Sequence, residues 1–134
     1  RDLRMSRGLG DVYKRQLSDC EVGCDIERVV PAPFEIAEHY FCPAELEYIK
    51  SAKEKDKAFF TLWTLKESYM KMTGQGMSLS LDSFEIIQTT NGFTLGNLSP
   101  KHCVFKTVEF EAYVFSICNE NDFTLTRTHL YDLL

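Results

Sequence analysis

The chain has 134 residues, is 44% hydrophobic and 13% aromatic, and carries a formal net charge of −5 at pH 7. That is one domain's worth of chain with enough apolar material for a real core, and an acidic balance that argues against nucleic acid as the main partner. No run is apolar enough to span a bilayer and no basic start leads into an apolar signal core, so no membrane partner is expected and the cytoplasm is the expected compartment.

Residues 1–16 differ from the rest. They hold Arg1, Arg4, Arg7, Lys14 and Arg15 against Asp2 and Asp11, so the body of the chain is more acidic than the total suggests. They contain Gly8 and Gly10 and show no amphipathic period, and Leu9 to Gln16 resembles translated adapter sequence. We expect 1–16 to be a non-native or disordered segment and 17–134 to be the folding unit.

From Cys20 to Val30 the pattern alternates, with Val22, Cys24 and Ile26 on one face of a strand and Gly23, Asp25 and Glu27 on the other. Pro31 and Pro33 end it. Residues 34–41 read as a short helix, and Pro43 opens a second one with Leu46, Ile49 and Ala52 inward. A charged connector follows. The long helix is expected from Lys55 to Thr73, with Gly74 as its stop. Leu62, Leu65, Tyr69 and Met72 form one apolar stripe and Phe59, Trp63 and Met70 another, so the helix is packed on two sides. The narrow remaining face holds Thr64, Glu67, Ser68 and Lys71. After Gly76 the period changes to two, with strands expected over 84–89, 93–98, 103–109, 113–118 and 123–128 and a hairpin turn at Asn91-Gly92. Strand, helices and an antiparallel meander make an α+β fold.

The cysteines Cys20, Cys24, Cys42, Cys103 and Cys118 are odd in number and form no C-x-x-C, so they read as reduced thiols. His39, His102 and His129 match no metal-ligand spacing.

Charge inside otherwise apolar elements is costly unless it is paired or liganded. Asp25 and Glu27 leave the same face of a strand about 7 Å apart at Cα, so they can converge on a hard cation such as Mg²⁺. Glu67 would add a third oxygen ligand. Lys71 is one helical turn beyond Glu67, either as a simple helix ion pair or as a cation for an anionic substrate. Lys66 projects at an angle to them, either as a second cation for such a substrate or as a solvated charge. Taken alone, D-x-E on a strand is more often a solvated face than a metal site.

The two blocks together resemble a known signature. Val22-Gly23-Cys24-Asp25-Ile26-Glu27-Arg28 and Trp63-Thr64-Leu65-Lys66-Glu67-Ser68-Tyr69-Met70-Lys71 are similar to the G-[IV]-D-x-E and W-[ST]-x-K-E-[AS]-x-x-K blocks of the 4′-phosphopantetheinyl transferases. The stretches 41–45, 74–79 and 81–84 agree as well, and Glu27 and the Leu81-Asp82-Ser83-Phe84 run favour the surfactin-synthetase-type branch. Cys24 stands where Ile or Val is usual.

The resemblance implies a half-domain with a metal-bearing strand, short helices and one long buried helix on an antiparallel sheet. It implies transfer of phosphopantetheine from coenzyme A to a serine of an apo acyl or peptidyl carrier protein. Asp25, Glu27 and Glu67 would hold Mg²⁺ or Mn²⁺, Glu67 would take the serine proton, Lys71 would act on the pyrophosphate, and Lys66 and Lys71 would contact the coenzyme. Phe34, Ile36 and Tyr40 would face the carrier protein or belong to the core. Members of that branch join two similar halves, and this chain resembles the second, so a missing N-terminal half is an expected partner. The alternatives are the short holo-acyl-carrier-protein-synthase type, a homotrimer, and a non-catalytic interaction module.

Overall fold

A computed structural model of the protein describes residues 22–74, 79–96 and 103–120. Strand β1 (Val22–Arg28) is followed by helices α1 (Phe34–Tyr40), α2 (Pro43–Ser51) and α3 (Lys55–Thr73). A 3₁₀ turn (Leu81–Ser83) then leads into β2 (Ile86–Thr89), β3 (Gly92–Leu95), β4 (Val104–Phe110) and β5 (Tyr113–Asn119). The expected arm 1–16 and the strand at 123–128 lie outside the described residues.

The expected meander is divided. Among the described residues β2 and β3 pair only with each other, while β4 and β5 form a hairpin whose β5 edge pairs antiparallel with β1, in the order β1-β5-β4. β1 is thus recruited by the far end of the chain. The β2–β3 turn is shifted by one residue from expectation. Thr90 and Asn91 form it, and Gly92 opens β3 with φ 144°.

Helix α3 packs along β1 and β5. It ends where Gly74 turns left-handed, φ 73°, and its N–H bonds the Lys71 carbonyl. Phe59, Leu62, Leu65, Tyr69 and Met72 are buried at 1% exposure or less and form the main core with Phe84, Ile86, Phe105 and Cys118. The opposite face of the sheet has its own apolar cluster of Val22, Cys24, Ile26, Phe115 and Ile117. Trp63 stacks on Phe59, and Phe59 stacks on Phe41, tying α1 to α3.

Cys24, Cys42, Cys103 and Cys118 are buried free thiols, as expected. The Cys42 thiol donates to the Phe84 carbonyl, and burial pushes its pKa up to about 11, against the opposing pull of Lys66. Among the described residues no helix is long and apolar enough to cross a membrane.

A candidate active site between strand β1 and helix α3

The alternation in β1 turns Gly23, Asp25 and Glu27 toward α3 and leaves Val22, Cys24 and Ile26 for the second cluster. Gly23 sets the distance between the two elements. A Cβ there would lie 2.0 Å from the Ser68 carbonyl oxygen and 2.4 Å from the Met72 nitrogen, so the helix backbone rests directly on the strand. Two residues further along, Asp25 meets the last turn of α3. Its carboxylate is buried, and Oδ1 accepts a 2.9 Å hydrogen bond from Lys71 Nζ.

Asp25, Glu27, Glu67 and Lys71 line one cavity of about 450 Å³. The rest of its wall is apolar and includes Val30, Pro33, Ile36, Phe59, Phe60 and Trp63. Four of the five residues singled out from the sequence are therefore brought together. The donors are hard carboxylate oxygens, a chemistry that suits Mg²⁺ or Mn²⁺. Among the described residues no three such side chains are drawn together tightly enough to hold an ion as they stand. The Lys71 ammonium already bonds Asp25 Oδ1.

Lys66 is elsewhere. It is fully buried and donates to both oxygens of Glu45, at 2.8 and 2.7 Å, and to the Phe84 carbonyl at 2.8 Å. Its ammonium lies 4.4 Å from the centre of the Phe84 ring. All three N–H donors are used, and the side chain does not line the cavity, so neither the coenzyme contact nor the solvated charge expected for it describes its position. Glu45 also accepts from the backbone N–H groups of Cys42 and Ile86. This buried pair locks α2, α3 and the start of β2 together. In the sequence Glu45 stands out only as part of the matching 41–45 stretch, with no role attached, although its place three residues after Cys42, at the start of α2, is that of a capping glutamate.

The helical spacing predicts Thr64 and Ser68 on one polar face with Glu67 and Lys71. They sit under the sheet instead. Thr64 Oγ1 and Ser116 Oγ share a 2.7 Å hydrogen bond, and Ser68 Oγ donates to the Leu65 carbonyl. Of the expected docking residues, Phe34 packs edge-on against Phe59, Ile36 lines the cavity and Tyr40 is 52% exposed.

Comparison with known proteins agrees with this arrangement. The family model of the 4′-phosphopantetheinyl transferase superfamily matches residues 21–118. The 4′-phosphopantetheinyl transferase psf-1 of Bacillus pumilus is 35% identical over 115 residues, covering 81% of this chain and 49% of that protein. The transferase Sfp of Bacillus subtilis is 37% identical over 103 residues, 72% of this chain and 46% of that protein. The chain thus spans about half the length of the curated relatives it matches. In fold, it is similar to the holo-[acyl-carrier-protein] synthase of Thermotoga maritima, with a TM-score of 0.65 at 17% identity, covering 74% of this chain and 61% of that one. It is also similar to the synthase of Bacillus anthracis solved in complex with CoA (3′,5′-ADP), with a TM-score of 0.62 at 15% identity, covering 74% and 93%. With its two signature blocks meeting at one cavity and the family match running over β1 to β5, the chain belongs to the 4′-phosphopantetheinyl transferase superfamily, on the surfactin-synthetase-type side.

Proposed function

We propose that this chain is the metal-bearing half of an enzyme that transfers the 4′-phosphopantetheine group of coenzyme A to a serine of an apo acyl or peptidyl carrier protein. The observation that carries the reading is the convergence of Asp25, Glu27, Glu67 and Lys71 on one cavity with an apolar wall. Asp25, Glu27 and Glu67 would hold Mg²⁺, which when bound supplies Lewis-acid stabilisation of a pyrophosphate. Glu67 takes the serine proton as general base. The serine oxygen forms the new P–O bond, the pyrophosphate P–O bond breaks, and adenosine 3′,5′-bisphosphate leaves with the electron pair. Lys71 neutralises charge on the phosphate oxygens. Trp63 and Phe59 keep water from that side of the cavity. The remaining grip on the nucleotide falls to the N-terminal half-domain of such enzymes, and the cytoplasm is the compartment that holds both substrates.

Mg²⁺-dependent thermal stabilisation tests the metal assignment. The parent chain is expected to gain Tm on adding Mg²⁺, because an ion that binds the native state alone stabilises it by mass action. Asp25→Asn and Glu67→Gln are expected to lose that gain. Variants that respond as the parent does would contradict the assignment.

A second reading has one observation in its favour: the fold similarity to a Neisseria meningitidis synthase covers 98% of that chain. Here a second copy of this chain would complete the site. Light scattering separates the two, since this reading requires a stable trimer.

A further inference from the structure

Lys71 and Asp25 form an unequal pair. Asp25 lies mid-strand in β1, opposite Ser116 of β5 and beneath α3, with its side chain 2% exposed. It cannot move without moving the sheet. Lys71 reaches it from the last turn of α3 on four flexible carbons, with its side chain 39% exposed. It can leave without disturbing the core. A buried carboxylate is costly to leave charged and uncompensated, so a cation beside Asp25 favours the folded state. Lys71 fills that role at 2.9 Å.

The same wall carries Glu67, one turn before Lys71, and Glu27, two residues beyond Asp25. A divalent cation held by these carboxylates and the lysine ammonium would compete for Asp25 Oδ1, the oxygen the ammonium now bonds, and like charges at such a separation repel.

We infer that Lys71 is a tethered, displaceable counter-ion that holds Asp25 until a divalent cation takes its place. This deepens the metal assignment proposed above and rests on it. Once displaced, the ammonium stays on the rim of the cavity, where a phosphate oxygen of the incoming substrate is its next anion. One lysine thereby serves two anions in succession. The ion pair also sets how tightly the substrate-free protein binds metal, since every ion that enters must first break it.

The test is Mn²⁺ binding by electron paramagnetic resonance, together with Tm, for the parent chain, Lys71→Met, Lys71→Gln and Lys71→Arg. Removing the competitor is expected to tighten Mn²⁺ binding about threefold or more in both neutral variants, as suits a partly exposed ion pair. Their metal-free Tm is expected to fall below the parent's, and saturating Mn²⁺ is expected to close the gap. Lys71→Arg keeps a cation against Asp25 and is expected to bind Mn²⁺ as the parent does. Equal or weaker binding by the neutral variants overturns the inference. Tighter binding with an unchanged metal-free Tm also overturns it, because the gain would then come from the general field of a removed charge. Asp25→Asn separates the two levels: if it binds Mn²⁺ as well as the parent, the metal assignment itself fails. Using two neutral variants keeps the test decisive if one of them does not fold.

Discussion

Lys66→Met is expected to destabilise the protein by about 3–5 kcal/mol, and Glu45→Leu by a similar amount, because each leaves a charge buried with its partner removed. Lys66 and Glu45 are both fully inaccessible, and each uses its hydrogen-bonding capacity on the other and on nearby backbone. A loss of that size is a large part of the 5–15 kcal/mol that stabilises a typical domain. The double variant Glu45→Leu/Lys66→Met removes both charges together and is expected to recover much of the loss, since a hydrophobic pair of similar volume often matches a buried ion pair. Urea unfolding of the two single variants and the double variant measures this as a coupling energy. Single-variant losses under 1 kcal/mol would mean the pair does not hold the helices together. Because Lys66 immediately precedes Glu67 on α3, the pair also fixes the rotation that points Glu67 into the cavity.

Gly23→Ala is expected to cost about 3 kcal/mol or more and to open the site. The added Cβ would fall 2.0 Å from the Ser68 oxygen and 2.4 Å from the Met72 nitrogen, both backbone atoms of α3. No side-chain rotamer can relieve such a contact, so strand and helix must separate, and overpacking of this kind typically costs 1–3 kcal/mol even where side chains can adjust. Separation would also lengthen the 2.9 Å contact between Asp25 and Lys71. Gly74→Ala is the matched control. It has the same change in volume but nothing within 4 Å, and pays only the left-handed backbone cost of about 1–2 kcal/mol. Comparable losses for the two variants would contradict the close-approach argument.

What could be read in advance follows from which signals are local. Helix α3 carries its own apolar stripes and its own stop at Gly74, and its observed span, Lys55–Thr73, is the expected one. The period of two in β1 placed Asp25 and Glu27 together on the face opposite Cys24. Pairing between distant segments left no such mark. Nothing local links β1 to β5, and the β4–β5 turn is built from Glu111 and Ala112, with Glu111 left-handed at φ 56° and no glycine or asparagine to announce it. Lys66 and Glu45 are 21 residues apart in sequence, and a charged residue with so distant a partner reads as surface until the fold brings the two together. Thr64 and Ser68 read as part of an open polar face because the hydroxyl that receives Thr64 is on Ser116, 52 residues away, and the space above Ser68 is closed by Gly23.

Phosphopantetheine transfer itself is read out by the intact mass of an apo carrier protein. The carrier would be incubated with coenzyme A, Mg²⁺ and this chain, with and without the N-terminal half-domain of a related transferase. A gain of one phosphopantetheine is expected when both halves are present, little or none with this chain alone, and loss of the gain on Glu67→Gln. No gain in either mixture, or a gain that survives Glu67→Gln unchanged, would contradict it.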